Sequence, residues 1–248
     1  MGHRGHMMQH IPFHTPLRDC ALFLDIDGTL LDFSSSPGNV AVPPGLPATL
    51  QALQHHLSGA LAFISGRRMA DIEAFFGPAI AAGAEHGALL RLADGTVISK
   101  TMPDPALAAI LQDLRRALPL YPGLLLEEKH YGMTLHWRAA PALAPDIKSL
   151  ARKVIAPYPE LALLAAHEAV EIRMKGVDKA TALETFMALP PFAGRLPVFI
   201  GDDVTDEPAI ARATAMGGLG LHVARNFGGS PQQVRDWLAE SVLDVAST

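Results

Sequence analysis

The run Ala21-Leu22-Phe23-Leu24-Asp25-Ile26-Asp27-Gly28-Thr29-Leu30 decides the fold class. Residues 21–26 are apolar except for Asp25, the pattern of a strand buried on both faces rather than one alternating between core and solvent. Residues 61–64, 79–82, 198–200 and 219–223 resemble it. Between these runs the spacing predicts helices over 47–57, 69–76, 178–188 and 207–213. Buried strands alternating with helices argue for an α/β fold, a Rossmann-like parallel sheet covered on both sides. Such sheets bind ligands beyond the carboxyl ends of their strands, so the residues directly after each apolar run are the candidates for chemistry.

The middle of the chain breaks this pattern. Residues 89–99 read as a hairpin turning at Asp94-Gly95. A helix over 105–118 follows, then strands over 124–128 and 133–137, a helix over 145–156, and strands over 161–164 and 169–173. This order predicts a small antiparallel sheet with helices on one face, inserted into the first unit over 104–175. The core then comprises 16–103 and 176–248, and 1–15 is a loose tail whose His3, His6, His10 and His14 are too irregularly spaced to make a case for a metal site.

Composition narrows the function classes. The 248 residues suffice for a large domain or a core with an inserted module. Hydrophobic residues make up 49% and charged ones 18%, which excludes a disordered chain. A net charge of −5 gives no general attraction to nucleic acid or to an acidic membrane surface, since that binding rests on Lys and Arg neutralising phosphate. No apolar run is long enough to span a bilayer. Cys20 is the single cysteine, which excludes an internal disulfide and a multi-thiolate zinc site, and the expected location is the cytoplasm.

Chemistry concentrates after the apolar runs. Asp25 and Asp27 stand two apart at the end of the first, where Gly28 lets the chain curl and both carboxylates approach one point. Two carboxylates at a buried strand end repel unless a cation or a proton offsets them, which points to a metal; a solvated Asp-Gly turn is the plainer alternative. Asp202, Asp203 and Asp206 follow 198–200 and would complete an all-oxygen site suited to magnesium, although Asp206 and Glu207 also suit a helix N-terminus. Ser65-Gly66-Arg67 follows 61–64 and precedes a helix, a turn that can cradle an anion. Lys179 opens the helix after the insertion, where its ammonium can reach a phosphate oxygen. In the insertion, Glu127 and Lys129, His136 and Arg138, and Glu171, Arg173 and Lys175 alternate with other residues, so each set lies on one sheet face. Such a face offers donors and acceptors for sugar hydroxyls, or is an ordinary solvated face with cross-strand ion pairs.

The ordered series Asp25-x-Asp27-Gly28-Thr29, Ser65-Gly66-Arg67, Lys179 and Gly201-Asp202-Asp203-x-x-Asp206 resembles the four motifs of the haloacid dehalogenase superfamily of phosphatases. Gly83-Ala84-Glu85-His86-Gly87, Glu127-Glu128-Lys129, His136-Trp137-Arg138 and Glu171-Ile172-Arg173 are similar to the trehalose-6-phosphate phosphatases within it, a likeness spanning about 21–223. The resemblance implies a magnesium-dependent phosphatase core with a substrate-selecting α+β cap, hydrolysing trehalose 6-phosphate through an aspartyl phosphate. It implies Asp25 as nucleophile and Asp27 as general acid/base, with Lys179 beside them. The implied magnesium ligands are Asp25, the Asp27 backbone carbonyl and Asp202. Ser65, Gly66 and Arg67 are expected at the phosphate, and Glu85, His86, Glu127, Lys129, Arg138, Glu171, Arg173 and Lys175 around the sugar. A functional link to trehalose-6-phosphate synthase is implied as well. Met174 stands where that family often has proline, and Ala180 where it usually has glycine, so the places of Lys175 and Lys179 are the least secured by the likeness. Sucrose-phosphate and mannosyl-3-phosphoglycerate phosphatases are the nearest alternatives, and a non-catalytic sugar-phosphate sensor is the alternative from another class.

Overall fold

Parallel strands carry the candidate residues, and their order explains why those residues meet. The computed structural model describes residues 17–32, 40–99, 105–166 and 168–246. The expected tail at 1–15 and the start of the insertion at 104 lie outside them. The first half of the core runs β1 (Cys20–Leu24), α1 (Leu46–His56), β2 (Leu61–Ile64), α2 (Met69–Phe76), β3 (Ala81–Ala84), β4 (Leu89–Arg91) and β5 (Val97–Ser99). The inserted unit follows with α3 (Pro105–Ala117), β6 (Leu125–Glu128), β7 (Gly132–His136), α4 (Ala144–Ile155), β8 (Leu161–Ala166) and β9 (Ala169–Met174). The chain returns to the core through α5 (Lys179–Met187), β10 (Leu196–Gly201), α6 (Glu207–Ala215), β11 (Leu219–His222), α7 (Val223–Asn226) and α8 (Pro231–Ala246).

The core sheet has the order β11-β10-β1-β2-β3-β4-β5, parallel from β11 to β3 and antiparallel beyond. From β1 the chain steps to β2 and β3 on one side, while β10 and β11 extend the sheet on the other. With right-handed crossovers this reversal puts α1 and α6 on opposite faces, and a crevice opens between β1 and β10 at their carboxyl ends. All five residues of β1 and all four of β2 are buried, as expected for central strands covered twice. Phe23 stacks on Phe192 with ring centroids 5.4 Å apart and meets Phe186 at 6.0 Å. Burying one such ring is worth about 2–3 kcal/mol, so β1 is firmly anchored just before its acidic end.

The structure departs from the expected elements at the start of β3 and at the C-terminal end. β3 begins at Ala81 rather than 79, because pairing with β2 starts at Ala62↔Ala81, and Gly77 with φ 73° still turns the chain just upstream. The sixteen-residue α8 has no counterpart in the sequence reading. It packs against α1 and returns Arg235 to the Leu30 carbonyl at 2.8 Å, tying the end of the chain to the turn after β1.

The inserted unit is a second sheet, ordered β6-β7-β9-β8 and antiparallel throughout. Met133 and Leu135 of β7 and Val170 and Ile172 of β9 join Ile110 and Leu114 of α3 and Ile147 and Ala151 of α4 in a separate apolar core. By strand alternation, Thr134, His136, Glu171 and Arg173 therefore occupy the face without helices. In register, Glu127, Thr134 and Glu171 form one row across β6, β7 and β9.

Candidate active site

Strand register assembles the site. Leu24 lies opposite Ile200 on β10 and Phe63 on β2, and Ile64 lies opposite Gly83 on β3. The residues that follow, Asp202, Asp25 with Asp27, Ser65 to Arg67, and Glu85 with His86, thus emerge side by side along one edge of the sheet. The Asp25 N–H still donates to the Ile200 carbonyl at 2.9 Å, so the two acidic segments separate only after this point. Gly28, with φ 76°, then turns the chain, and its N–H closes the loop on the Leu31 carbonyl at 2.8 Å.

Asp25, Asp202 and Asp206 each offer a carboxylate oxygen within 4.8 Å of the others. Asp206 reaches the cluster because Gly201 makes room for it: a Cβ on Gly201 would stand 2.3 Å from the Asp206 carboxyl carbon. The Asp206 Oδ2 accepts from the N–H groups of Asp202 and Asp203 at 3.1 and 3.2 Å. Lys179 supplies the opposing charge, its Nζ donating to Asp25 Oδ1 at 2.7 Å and to Asp206 Oδ1 at 2.6 Å. It can do so because the Asp178–Thr181 capping box starts α5 at Lys179, and side chains on a helix lean toward its N-terminus. Thr29 Oγ1 spans the two acidic segments, donating at 3.4 Å to Asp25 and 3.3 Å to Asp202.

The charge balance of this cluster is the chemical clue. One ammonium faces three carboxylates in a buried place. Burial, then repulsion from Asp206 and Asp202, pushes the Asp25 carboxyl well above the usual carboxylate range despite Lys179. Burial and the charges of Asp206 and Asp203 push Asp202 up to about 7. Burial likewise raises Asp206, with Lys179 opposing it. Lys179 shifts the other way: burial alone would lower it, but Asp206 and Asp25 hold it above its ordinary value. A cluster with surplus negative charge and only oxygen donors fits a hard divalent cation, and Asp25, Asp202 and Asp206 are the side chains that could hold one. Asp206 suits both a helix start and a metal site by sequence; its burial and its contact with Lys179 put its carboxylate in the cluster.

The Asp27 carboxylate turns instead to Arg67. The guanidinium binds it in bidentate fashion, Nε to Oδ2 at 2.6 Å and Nη2 to Oδ1 at 2.5 Å, and lies over the Phe75 ring at 4.8 Å. Arg67, expected at the phosphate, thus holds the second acid of the motif. Ser65 is buried beside it, its Oγ accepting from the Arg67 N–H at 3.2 Å.

The helix-free face of the inserted sheet meets the core. Lys129 Nζ donates to the Gly66 carbonyl at 3.1 Å and lies 3.4 Å from Glu171 Oε2, which is 3.1 Å from His86 Nε2. Burial would raise Glu171, but His86 and Lys129 outweigh it and hold its carboxyl well below the usual range. Glu127 pairs with His136 at 2.8 Å. Arg173 shares this face with Glu171 by alternation. Between the two glutamates lies Thr134, 4% exposed, its hydroxyl without a hydrogen-bond partner. Sequence reasoning passed over Thr134, although its position two residues before His136 was the available signal.

Three residues expected around the sugar have partners of their own in the fold. Glu85 does not present a free carboxylate to a sugar: its Oε1 accepts from the His130 N–H at 3.0 Å and its Oε2 from the Tyr131 N–H at 2.7 Å. Arg138 lies past the end of β7 and donates to Glu168 at 2.9 Å. Lys175 is exposed and donates to the Pro159 carbonyl.

Comparison with known proteins shows the family of the chain. The family model for trehalose-phosphatase matches residues 23–235. The chain is 35% identical over 228 residues to a trehalose-6-phosphate phosphatase of Escherichia coli, covering 92% of this chain and 84% of that protein. It is 38% identical over 211 residues to a probable trehalose-phosphate phosphatase of Sinorhizobium fredii, covering 84% and 79%. Among solved structures, a trehalose-6-phosphate phosphatase related protein shares the fold with a TM-score of 0.76 at 22% identity, over 92% of this chain and 99% of that one. The C-terminal domain of the C. albicans trehalose-6-phosphate phosphatase superposes with a TM-score of 0.77 at 19% identity, over 91% and 92%.

Proposed function

Because the chain belongs to the trehalose-phosphatase family, we propose that it hydrolyses trehalose 6-phosphate to trehalose and inorganic phosphate. The observation that carries this reading is the junction of two surfaces: a buried acid cluster with Lys179 at the strand ends, and a polar sheet face whose Lys129 touches Gly66 of the anion-cradle turn.

In this mechanism the Asp25 carboxylate attacks phosphorus, and its new O–P bond forms as the bond from phosphorus to the sugar oxygen breaks. Asp27 gives a proton to the departing oxygen and later takes one from the water that attacks the aspartyl phosphate, which restores Asp25 and releases phosphate. Arg67 fixes the direction of the Asp27 carboxylate, and each of its oxygens keeps a lone pair for the proton. Lys179 and the backbone amides of the Ser65–Arg67 turn set positive charge around the phosphoryl oxygens, the principal need of a reaction whose transition state spreads charge over them. Magnesium is the proposed metal: Asp25, Asp202 and the Asp27 carbonyl would hold it, with Asp206 beside them, and it would neutralise phosphate charge. Glu127, Lys129, Glu171 and Arg173 would meet the hydroxyls of the disaccharide. Supply of the substrate by trehalose-6-phosphate synthase, and a cytoplasmic site of action, complete the reading. Among the described residues no helix is long and apolar enough to cross a membrane.

A substrate panel read by phosphate release tests the choice of sugar. Trehalose 6-phosphate is expected to lead, and a preference of more than about tenfold for sucrose 6-phosphate or mannosyl-3-phosphoglycerate would overturn it. Within the same panel, Lys129→Ala is expected to cut kcat/KM for trehalose 6-phosphate by about tenfold or more, with a much smaller effect on 4-nitrophenyl phosphate. Equal losses on both would make Lys129 a support of the fold rather than a sugar contact.

A further inference from the structure

The turn Glu85-His86-Gly87 is built at a cost. Glu85 has φ 48° and His86 φ 59°, left-handed conformations that non-glycine residues rarely adopt, followed by Gly87 at φ 98°. Its backbone is tied to the anion-cradle turn, with the Glu85 N–H donating to the Arg67 carbonyl and the His86 N–H to the Ser65 carbonyl, both at 2.9 Å. Its carboxylate, 6% exposed, is committed in the other direction to two consecutive amides at the tip of the β6–β7 hairpin. That tip is closed by the Lys129 N–H on the Gly132 carbonyl at 3.0 Å, and the Tyr131 and Ser99 hydroxyls share a hydrogen bond of 2.9 Å across to β5.

We infer that Glu85 is a positioning residue, which docks the inserted unit on the core by gripping the His130 and Tyr131 amides and thereby sets Lys129 and Glu171 over the phosphate cradle. The chemistry favours this role. Two neighbouring N–H groups are matched by the two oxygens of one carboxylate, and a charged acceptor makes such bonds stronger than a neutral one would. Lys129 directly precedes the gripped amides, so fixing them fixes the stem from which its ammonium reaches Gly66 and Glu171. The strained turn pins the grip to the Ser65–Arg67 loop, so Glu85 links the sugar contacts to the phosphate contacts.

The inference rests on the proposed activity for its catalytic consequence, but the grip itself is tested without any substrate. In the full chain, Glu85→Gln offers the two amides a single acceptor and sets an N–H₂ group against one of them. Hydrogen exchange at the His130 and Tyr131 amides should accelerate by about tenfold or more, while Leu135 and Ile172 in the core of the inserted unit stay protected. The KM for trehalose 6-phosphate should rise by about fivefold or more, with a much smaller effect on turnover of 4-nitrophenyl phosphate. Glu85→Asp, which keeps the charge but shortens the reach, should fall between wild type and Glu85→Gln in both readouts. Unchanged exchange at the two amides would overturn the inference. Acceleration spread through β2 and β3 in both variants would also overturn it, by making Glu85 a support of the core. Absence of activity on trehalose 6-phosphate in the wild type would instead strike the proposed function and leave the exchange result to stand alone.

Discussion

Asp25→Asn is expected to abolish phosphate release from trehalose 6-phosphate, with a loss on the order of 10⁴-fold or more, because the amide has no anionic oxygen to attack phosphorus. The fold should survive, for a reason visible in the charge balance. Burial and the neighbours Asp206 and Asp202 raise the Asp25 carboxyl, so the folded chain holds this proton more tightly than the unfolded chain does. A raised acid destabilises the folded state as pH climbs from the ordinary carboxylate range, and the neutral amide is free of that cost. In metal-free buffer near pH 7, the melting temperature of Asp25→Asn should therefore equal or exceed that of the wild type. Substrate binding, followed by calorimetry, should persist. Retention of more than about 1% of turnover would remove Asp25 from the role of nucleophile. Total loss of turnover with binding retained would at the same time exclude a non-catalytic sugar-phosphate sensor.

Lys179→Met should have the largest effect on stability. Its ammonium touches two buried carboxylates, at 2.7 and 2.6 Å, and it is 3% exposed. Removing one partner of a buried ion pair costs about 3–5 kcal/mol, because the charges left behind are neither solvated nor paired. For a chain of this size that amounts to a fall in melting temperature of about 10 °C. The pH dependence has a definite sign. The folded-state Lys179 is raised above its ordinary value, so its contribution is fully present at neutral pH and is lost in the variant throughout that range. The orphaned carboxylates regain stability when protonated, so the deficit should shrink as pH falls from 8 toward 5. Excess magnesium should also reduce it, by supplying a substitute positive charge. A melting temperature within about 2 °C of the wild type at pH 8 without metal would show that the cluster does not depend on this ammonium.

The acidic half of the candidate site was legible in sequence because its signals are local. Asp25, Ser65 and Asp202 each stand directly beyond an apolar run, and a parallel sheet sends every such position to the same edge. The sheet face carrying Glu127, Lys129 and Glu171 was legible for a related reason, since alternation along a strand assigns faces without any knowledge of partners. What escaped depends on tertiary approach. Glu85 finds its partners 45 and 46 positions away, and those partners are backbone amides, which every residue possesses and no motif marks. Alternation placed Arg138 and Lys175 on plausible faces, but each lies beyond the end of its strand, where Glu168 and the Pro159 carbonyl claim it. Asp206 was ambiguous because an acid at a helix start needs no further explanation; only the close approach across Gly201 reveals that its carboxylate joins Asp25 and Asp202. The C-terminal α8 escaped for want of a strand to follow, although Arg235 makes it part of the frame beneath the acidic turn.

The central claim is that acids from β1 and β10, joined with a divalent cation beneath a sugar-reading sheet, hydrolyse a disaccharide phosphate. Trehalose and phosphate measured together from trehalose 6-phosphate, first with magnesium and then after removal of divalent cations, test it most directly. Equal amounts of the two products are expected with magnesium, and near-complete loss of both without it. No release with magnesium present, or the same release after its removal, would rule out a metal-dependent phosphatase built on Asp25 and Asp202.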